Sequence, residues 1–203
     1  MVLAKNKDKT SKIYSDLDLT YQNAWNLVRA AIDDRNAAFH TPTLATISTH
    51  GVPKARTVVL RACDIDNRVL RFHTDVRSQK VSEMNSNPHV TLHFYDPSQK
   101  LQLRMEGHAH CHAEDEISEK VWLNMKAMSK QCYFQNCPPG GELEKSEHVP
   151  TLRPEQDAAA YKNLCIVVLR IYNMDALYLS AKGHKRALYS WPDSIVTGKW
   201  IAP

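Results

Sequence analysis

Apolar positions near the start of the chain recur at steps of three and four. In LTYQNAWNLVRAAIDDRN, Tyr21, Trp25, Val28 and Ile32 mark one face of an amphipathic helix, with Thr20 or Asp18 placed to cap it. From Thr43 the period drops to two. TLATIST and KARTVVLRA flank HGVP, whose Gly51 and Pro53 suit a hairpin turn, and RVLRFHT follows after DIDN. Residues 78–87, SQKVSEMNSN, predict a second helix with Ser78 at its N-cap, closed by Pro88. HVTLHFY and LQLRMEGHAHCH read as two strands turned by Asp96, Pro97 and Ser98. A third helix is predicted over residues 114–130, with Ile117, Val121, Met125 and Met128 on one face, followed by a Pro-rich loop at 138–154. NLCIVVLRIY, ALYLS and HKRALYS complete the strands. Consecutive antiparallel strands with few helices predict a mainly β fold with flanking helices, a barrel or sandwich rather than a βαβ array.

Length and charge narrow this picture only modestly. The 203 residues suit a single domain spanning 1–203, with 1–19 as a polar, frayed extension. A net charge of +4 with no block of cations disfavours nucleic acid as a partner and fits a small anionic ligand. The longest apolar run, LCIVVL, is far below the roughly 20 residues that span a bilayer, and MVLAKNKDKTSK lacks an apolar signal core, so a cytoplasmic protein without a membrane partner is expected. Five scattered cysteines without a C-x-x-C pair read as reduced, structural thiols. His108, His110 and His112 share a strand face that suits solvent better than a metal, and no metal is expected.

The chemistry gathers in RFHTDVRSQK. Where this strand hands over to a helix, Thr74, Arg77, Ser78 and Lys80 surround a helix N-terminus, which favours anions through its unpaired N–H groups and dipole. Those ten residues fit a phosphate pocket and a capped surface helix with solvated cations equally well. Upstream, Arg56 and Arg61 stand five apart on an extended run, so they project to opposite sides, and one of them needs an anionic partner.

The ordered set LATISTHGVPKARTVVLR, LRFHTDVRSQKVSEMNSNPHVTLHFYDPSQKLQLRMEGHA and GHKRALYSWPDSIVTGKWIAP resembles the pyridoxamine 5'-phosphate oxidase family, the FMN-binding split β-barrels. The resemblance covers roughly residues 20–112 and 163–203. It implies FMN as cofactor and a homodimer with FMN sites at the subunit interface. By the same resemblance, Arg56, Thr57, Val58, Val59, Leu60 and Arg61 run along the flavin, Arg56 toward the phosphate and the backbone toward the ring. His73 and Thr74 fall on the family's Tyr-Thr pair, and Ser78, Gln79 and Lys80 on its Ser-Arg-Lys phosphate clamp. Gln102 matches a glutamine that reaches the ring from the partner, Gln131 and Cys132 match a Gln-Ser pair near the phosphate, and Arg186 matches a flavin-contacting Arg. Tyr178 stands near a family Trp.

On the substrate side the pattern departs from the family. KVWLNMKAMSKQ is short, contains neither the Tyr nor the Arg that hold the substrate phosphate in the true oxidases, and has no Ser at the place expected for the third contact. Arg61, Lys182 and His184 are left to line that side, with His184 the candidate catalytic residue, while Trp191 and Trp200 either pack or border the pocket. The resemblance thus implies a flavin-dependent oxidoreductase whose substrate has diverged from pyridoxine and pyridoxamine phosphate. The alternatives are a non-catalytic FMN- or haem-binding protein and an NAD(P)H-dependent flavin reductase.

Overall fold

The computed structural model describes residues 12–143 and 153–203. Residues 1–11 of the polar extension and 144–152 of the Pro-rich loop lie outside the described residues. Helix α1 (Leu17–Asp33) buries Ala24, Trp25, Val28 and Ala31. Its cap is neither Thr20 nor Asp18. Asp16 accepts from the Leu19 N–H, and the buried Thr20 hydroxyl turns back to the carbonyls of Ile13 and Asp16. Nor is the chain frayed just before this helix: Tyr14 is buried, stacked on Tyr178 with ring centroids 4.2 Å apart, and held by Asn23.

One antiparallel sheet organises the rest. Strands β1 (Thr43–Ile47), β2 (Pro53–Thr57), β3 (Leu60–Asp64), β4 (Val69–Asp75), β5 (His89–Asp96), β6 (Leu101–His112) and β7 (Leu164–Tyr178) lie in the order β2-β1-β5-β6-β7-β4-β3. Strands β8 (Lys185–Ser190) and β9 (Thr197–Ile201) extend from the second half of β7. KARTVVLRA is therefore two strands, not one. Val58 and Val59 break it, and its halves lie at opposite ends of the seven-strand path. Neighbouring strands are about 4.8 Å apart, so a flat sheet would separate β2 from β3 by about 29 Å, while two linking residues reach only about 10 Å. The sheet must curve strongly. Its inner face carries the main core: Leu44, Phe72, Leu92, Phe94, Leu103 and Val167, closed by Trp25 and Val28.

Strand β7 runs 15 residues where the sequence suggested two strands. It pairs with β4 through its first half and with β8 through its second, while β6 follows it along its length. Tyr172 is an extra residue in the β6–β7 ladder, since Glu106 faces Asn173 and Gly107 faces Ile171. That bulge switches which residues point inward: Cys165, Val167, Leu169 and Ile171 before it, Met174 and Ala176 after it.

Helix α2 (Gln79–Ser86) follows β4. The predicted helix 114–130 is interrupted: α3 (Glu116–Leu123) ends at Asn124, and a short α4 (Ala127–Lys130) leads into a turn at Gln131–Tyr133. The buried face of α3 is Ser118 and Trp122, whereas Ile117 and Met128 are exposed. Trp122, Tyr133, Ala160 of α5 (Asp157–Tyr161), Leu164 and Ile166 form a second, smaller core on the outer face of the sheet. Asp157 fastens it, accepting from the Trp122 indole at 2.7 Å and from Lys130 at 3.2 Å.

Candidate functional site

Strand β4 delivers Thr74 to its end, a tight turn follows, and α2 starts at Gln79 with Lys80 in its first turn. Lys80 Nζ donates to Thr74 Oγ1 at 3.1 Å, and Thr74 Oγ1 lies 3.3 Å from Ser78 Oγ. Ser78 occupies the N-cap position, but its hydroxyl donates to the Asp75 carbonyl at 2.7 Å and accepts nothing from the helix backbone. Asp75 and Arg77 close on each other at 2.7 Å, and Arg77 also donates to the Gln135 carbonyl, tying the turn to the segment after α4.

One turn along α2, the buried carboxylate of Glu83 accepts from Arg56 at 2.8 Å and from Thr46 at 2.6 Å, while Arg56 also donates to Thr46. Burial pushes the Glu83 acidity one way, but the hydrogen bonds from Thr46 and Arg56 outweigh it and hold the carboxyl below its ordinary range. Burial, followed by the charge of Arg56, lowers the pKa of the Lys80 ammonium. Arg56 and Lys80 against Glu83 leave one net positive charge. A half-buried ammonium, a second cation and hydroxyls around a helix start suit a phosphate ester.

Other residues named from the sequence surround or leave this cluster. Val58 is buried and gives its N–H to the Pro42 carbonyl at 3.0 Å, Val59 is half-buried, Leu60 lies in the core and Thr57 is exposed opposite Thr43. Arg61 sits at an irregularity in the β3–β4 ladder and is exposed. His73 alternates with Thr74 and so faces the other side of β4. Burial, with Arg71 and Arg61 beside it, pushes its pKa down to about 4. Gln79 is exposed, Gln131 is half-buried, and Cys132 is exposed beside the buried Tyr133.

A second group gathers at the far end of β7. Gln102 stands opposite Leu177, which stands opposite Arg186. Asp175 takes the guanidinium of Arg186 at 2.7 Å and also that of Arg104, so one buried carboxylate serves two cations. Those two hydrogen-bond donors outweigh burial and hold Asp175 below the ordinary carboxyl range. His184, Arg186 and Trp200 line a cavity of about 340 Å³ with Ser15. The His184 Nδ1 accepts from the Ser180 N–H at 3.1 Å, which leaves the ring proton on Nε2. Lys182 is exposed in the same turn. Trp191 packs edge-on against Trp25 and under Arg68.

Thr74 pairs with Cys165 and Gln102 with Leu177, so the two groups address points twelve residues apart on β7, about 40 Å along the strand. Among the described residues, no hydrogen bond or ion pair joins them. Sequence reasoning missed Thr46, Glu83, Arg104 and Asp175. That either Arg56 or Arg61 needs an anion was readable, but Glu83 lies 27 residues from Arg56 and only the fold selects it. No cluster of three or more His, Cys, Asp or Glu suited to a metal occurs among the described residues. His110 is exposed, His112 pairs with Asp115 at 2.8 Å, and His108 packs on His89 and Tyr172. No helix among the described residues is long and apolar enough to cross a membrane.

Comparison with known proteins bears on this geometry. Residues 22–113 match the model of the pyridoxamine 5'-phosphate oxidase FMN-binding domain. Over 190 residues the chain is 25% identical to pyridoxine/pyridoxamine 5'-phosphate oxidase 2 of Arabidopsis thaliana, covering 88% of this chain and 92% of that protein. The corresponding oxidase of Chromohalobacter salexigens is 37% identical over 82 residues, which is 40% of this chain and only 37% of the bacterial one. Among solved structures, a pyridoxamine 5'-phosphate oxidase-related FMN-binding protein of Nostoc punctiforme superposes with a TM-score of 0.71 at 22% identity, covering 90% of this chain and 97% of that one. Residues 22–113, just under half of the chain, are therefore similar to the FMN-binding domain of the pyridoxamine 5'-phosphate oxidase family, and FMN is the cofactor of that domain.

Proposed function

We propose that the protein is a cytoplasmic FMN-dependent oxidoreductase on a homodimeric split β-barrel, acting on a substrate other than pyridoxine or pyridoxamine phosphate. The observation that carries this reading is the Thr46–Arg56–Glu83 and Lys80–Thr74–Ser78 cluster at the start of α2. When bound, the isoalloxazine of FMN supplies hydride and electron chemistry, and the protein has to bind, orient and tune it. Arg56 and Lys80 take the phosphate, Glu83 and Thr46 keep the Arg56 fork in place, and Thr74 anchors Lys80. Gln102 and Arg186 address the ring from the partner subunit, because one chain sets them at the far end of β7 from its own phosphate cluster. Lys182 and His184 line the substrate side, and the Nε2 proton of His184 is free to orient a substrate or move to it.

The test is the visible spectrum of the purified protein, with FMN stoichiometry after heat release. FMN near one per chain supports the reading. A colourless protein that takes up no added FMN sinks it. Anaerobic bleaching of the bound flavin by an amine or alcohol then supports an oxidase, bleaching by NADPH a reductase, and bleaching by neither a binding protein. Turnover of pyridoxine 5'-phosphate at the rate of a true oxidase would refute the diverged substrate.

A further inference from the structure

Strands β6 and β7 bring together two cysteines to which the proposed cofactor contacts assign no role. Cys111 stands directly opposite Val167, and Cys165 lies one pleat away on β7, so both side chains point to the same face of the sheet. There the two thiols hydrogen-bond to each other. Cys165 is fully buried, whereas Cys111 is half-buried near the end of β6.

That bond makes the two sulfurs unequal. It draws the Cys111 thiol below its ordinary range, while the same bond, with burial after it, pushes Cys165 up. Cys165 is therefore the S–H donor, and Cys111 is the sulfur that becomes thiolate first. An acidic, more accessible thiol beside a buried, protonated one is the pairing of a nucleophile with its resolving partner. At Cys63, by contrast, burial dominates and pushes the thiol up to about 11.

The pair backs onto the phosphate cluster. Cys165 is directly opposite Thr74, whose Oγ1 accepts from Lys80, and it lies close enough to Lys80 to contribute to the field on the ammonium. The next rung, Asp75 opposite Leu164, leads into the turn before α2.

We propose that Cys111 and Cys165 are a peroxide-sensitive dithiol, and that its closure to a disulfide loosens the phosphate cluster. The Cys111 thiolate attacks one oxygen of hydrogen peroxide and breaks the O–O bond, which gives a sulfenic acid and a hydroxide that leaves as water with the proton Cys111 gave up. The Cys165 sulfur then attacks the Cys111 sulfur. An S–S bond forms, the S–O bond breaks, and the hydroxide leaves with the Cys165 proton as a second water. The two sulfurs together lose two electrons, and the peroxide gains them. Diagonal neighbours in a sheet have Cα atoms about 7 Å apart, at the outer limit for a disulfide, so closure draws the start of β7 toward β6 and away from Thr74. Lys80 then loses the fixed hydroxyl that holds it. The thiol chemistry stands by itself, whereas its effect on FMN rests on the flavoenzyme reading, in which an oxygen-using flavin releases the same peroxide.

The experiment treats the folded full chain with hydrogen peroxide, alkylates the remaining thiols and maps disulfides by mass spectrometry of the digest. FMN affinity is read by flavin fluorescence before treatment, after it, and after dithiothreitol. The expected result is a peptide cross-linked through Cys111 and Cys165, an FMN affinity lowered about tenfold, as for one lost charge-assisted contact, and reversal of both by dithiothreitol. Cys165→Ala should stop at a sulfenic acid on Cys111, captured by dimedone, and Cys111→Ser should make FMN affinity indifferent to peroxide. Cys63→Ser should respond as the parent does. No cross-link at a peroxide dose that oxidises the exposed Cys132 overturns the inference, and so does a cross-link that leaves the affinity for bound FMN unchanged. If the untreated protein takes up no FMN, the flavoenzyme reading falls, and the cross-link and the dimedone adduct still decide the dithiol. Cys111 is half-buried, so its variant remains informative should Cys165→Ala misfold.

Discussion

The two cationic groups at opposite ends of β7 solve one problem in different ways. At the α2 end, Glu83 pairs with a single guanidinium, and Lys80 is left with a hydroxyl as its recorded partner. At the far end, Asp175 is shared by Arg104 and Arg186. Each end carries one uncompensated positive charge, but at the α2 end it sits half-buried beside a helix N-terminus, while at the far end it is spread over two partly exposed forks. The difference teaches that a binding half-site can be held ready by an internal carboxylate before any ligand arrives, which lowers the ordering cost of binding. On the proposed reading, the α2 end grips a compact dianion and the far end presents planar donors.

The strongest way to break this comparison is to remove the internal carboxylate of the tighter end. Glu83→Ala leaves Arg56 unpaired against the core and should cost about 3 kcal/mol of stability, read as a lower urea midpoint, with FMN affinity falling as well. Lys80→Met should leave the midpoint nearly unchanged yet weaken FMN by about 30-fold, corresponding to about 2 kcal/mol for a lost charge-assisted contact, measured by quenching of flavin fluorescence.

Acid separates the ends. An unfolded imidazole takes up its proton near pH 6.5, but folded His73 resists until about 4. Between those values the unfolded state binds the extra proton, so stability falls on acidification through this window, by about 3 kcal/mol. His73→Gln should flatten that slope in cofactor-free protein. Asp175, held below its ordinary 3.8, contributes stability that is present above the unfolded value and lost only as pH falls through its lower folded value. Asp175→Asn should therefore lower stability throughout the neutral range and flatten only the more acidic part of the slope.

A subunit mixture sharpens the comparison further. Arg186→Ala should weaken FMN about tenfold, the loss of one charge-assisted contact. If sites are shared between chains, unfolding and co-refolding Lys80→Met with Arg186→Ala protein should restore one intact site per mixed dimer, and no recovery of tight FMN binding would argue that each chain builds its own site. The smallest effect is expected from Cys132→Ser, within twofold in FMN affinity, because this exposed thiol has no hydrogen-bond partner recorded among the described residues.

Local pattern carried most of the strands and the stretch from Phe72 to Lys80, since both are encoded by neighbours in sequence. What it could not carry was register. That Glu83 meets Thr46, or that Asp175 meets Arg104 across 71 residues, depends on which strands become neighbours. The break at Val58 and Val59 was illegible because β-branched residues favour extension equally within a strand and between two. The division of helix 114–130 at Asn124 was hidden for a different reason. Its apolar spacing suggested Ile117 and Met128 as the packed face, whereas Trp122 docks on Asp157 and Tyr133 and turns the helix accordingly.

The place of β7 in the strand order governs how the chain can be made. Because β7 separates β6 from β4, a ribosome that has delivered everything through Asn163 has produced two partial sheets, β2-β1-β5-β6 and β4-β3, each with an unpaired inner edge. Neither can meet the other until a single 15-residue strand slots between them and satisfies both at once. Any partial sheet formed before β7 is complete would therefore keep an open edge, and this one late strand closes both into the native sheet.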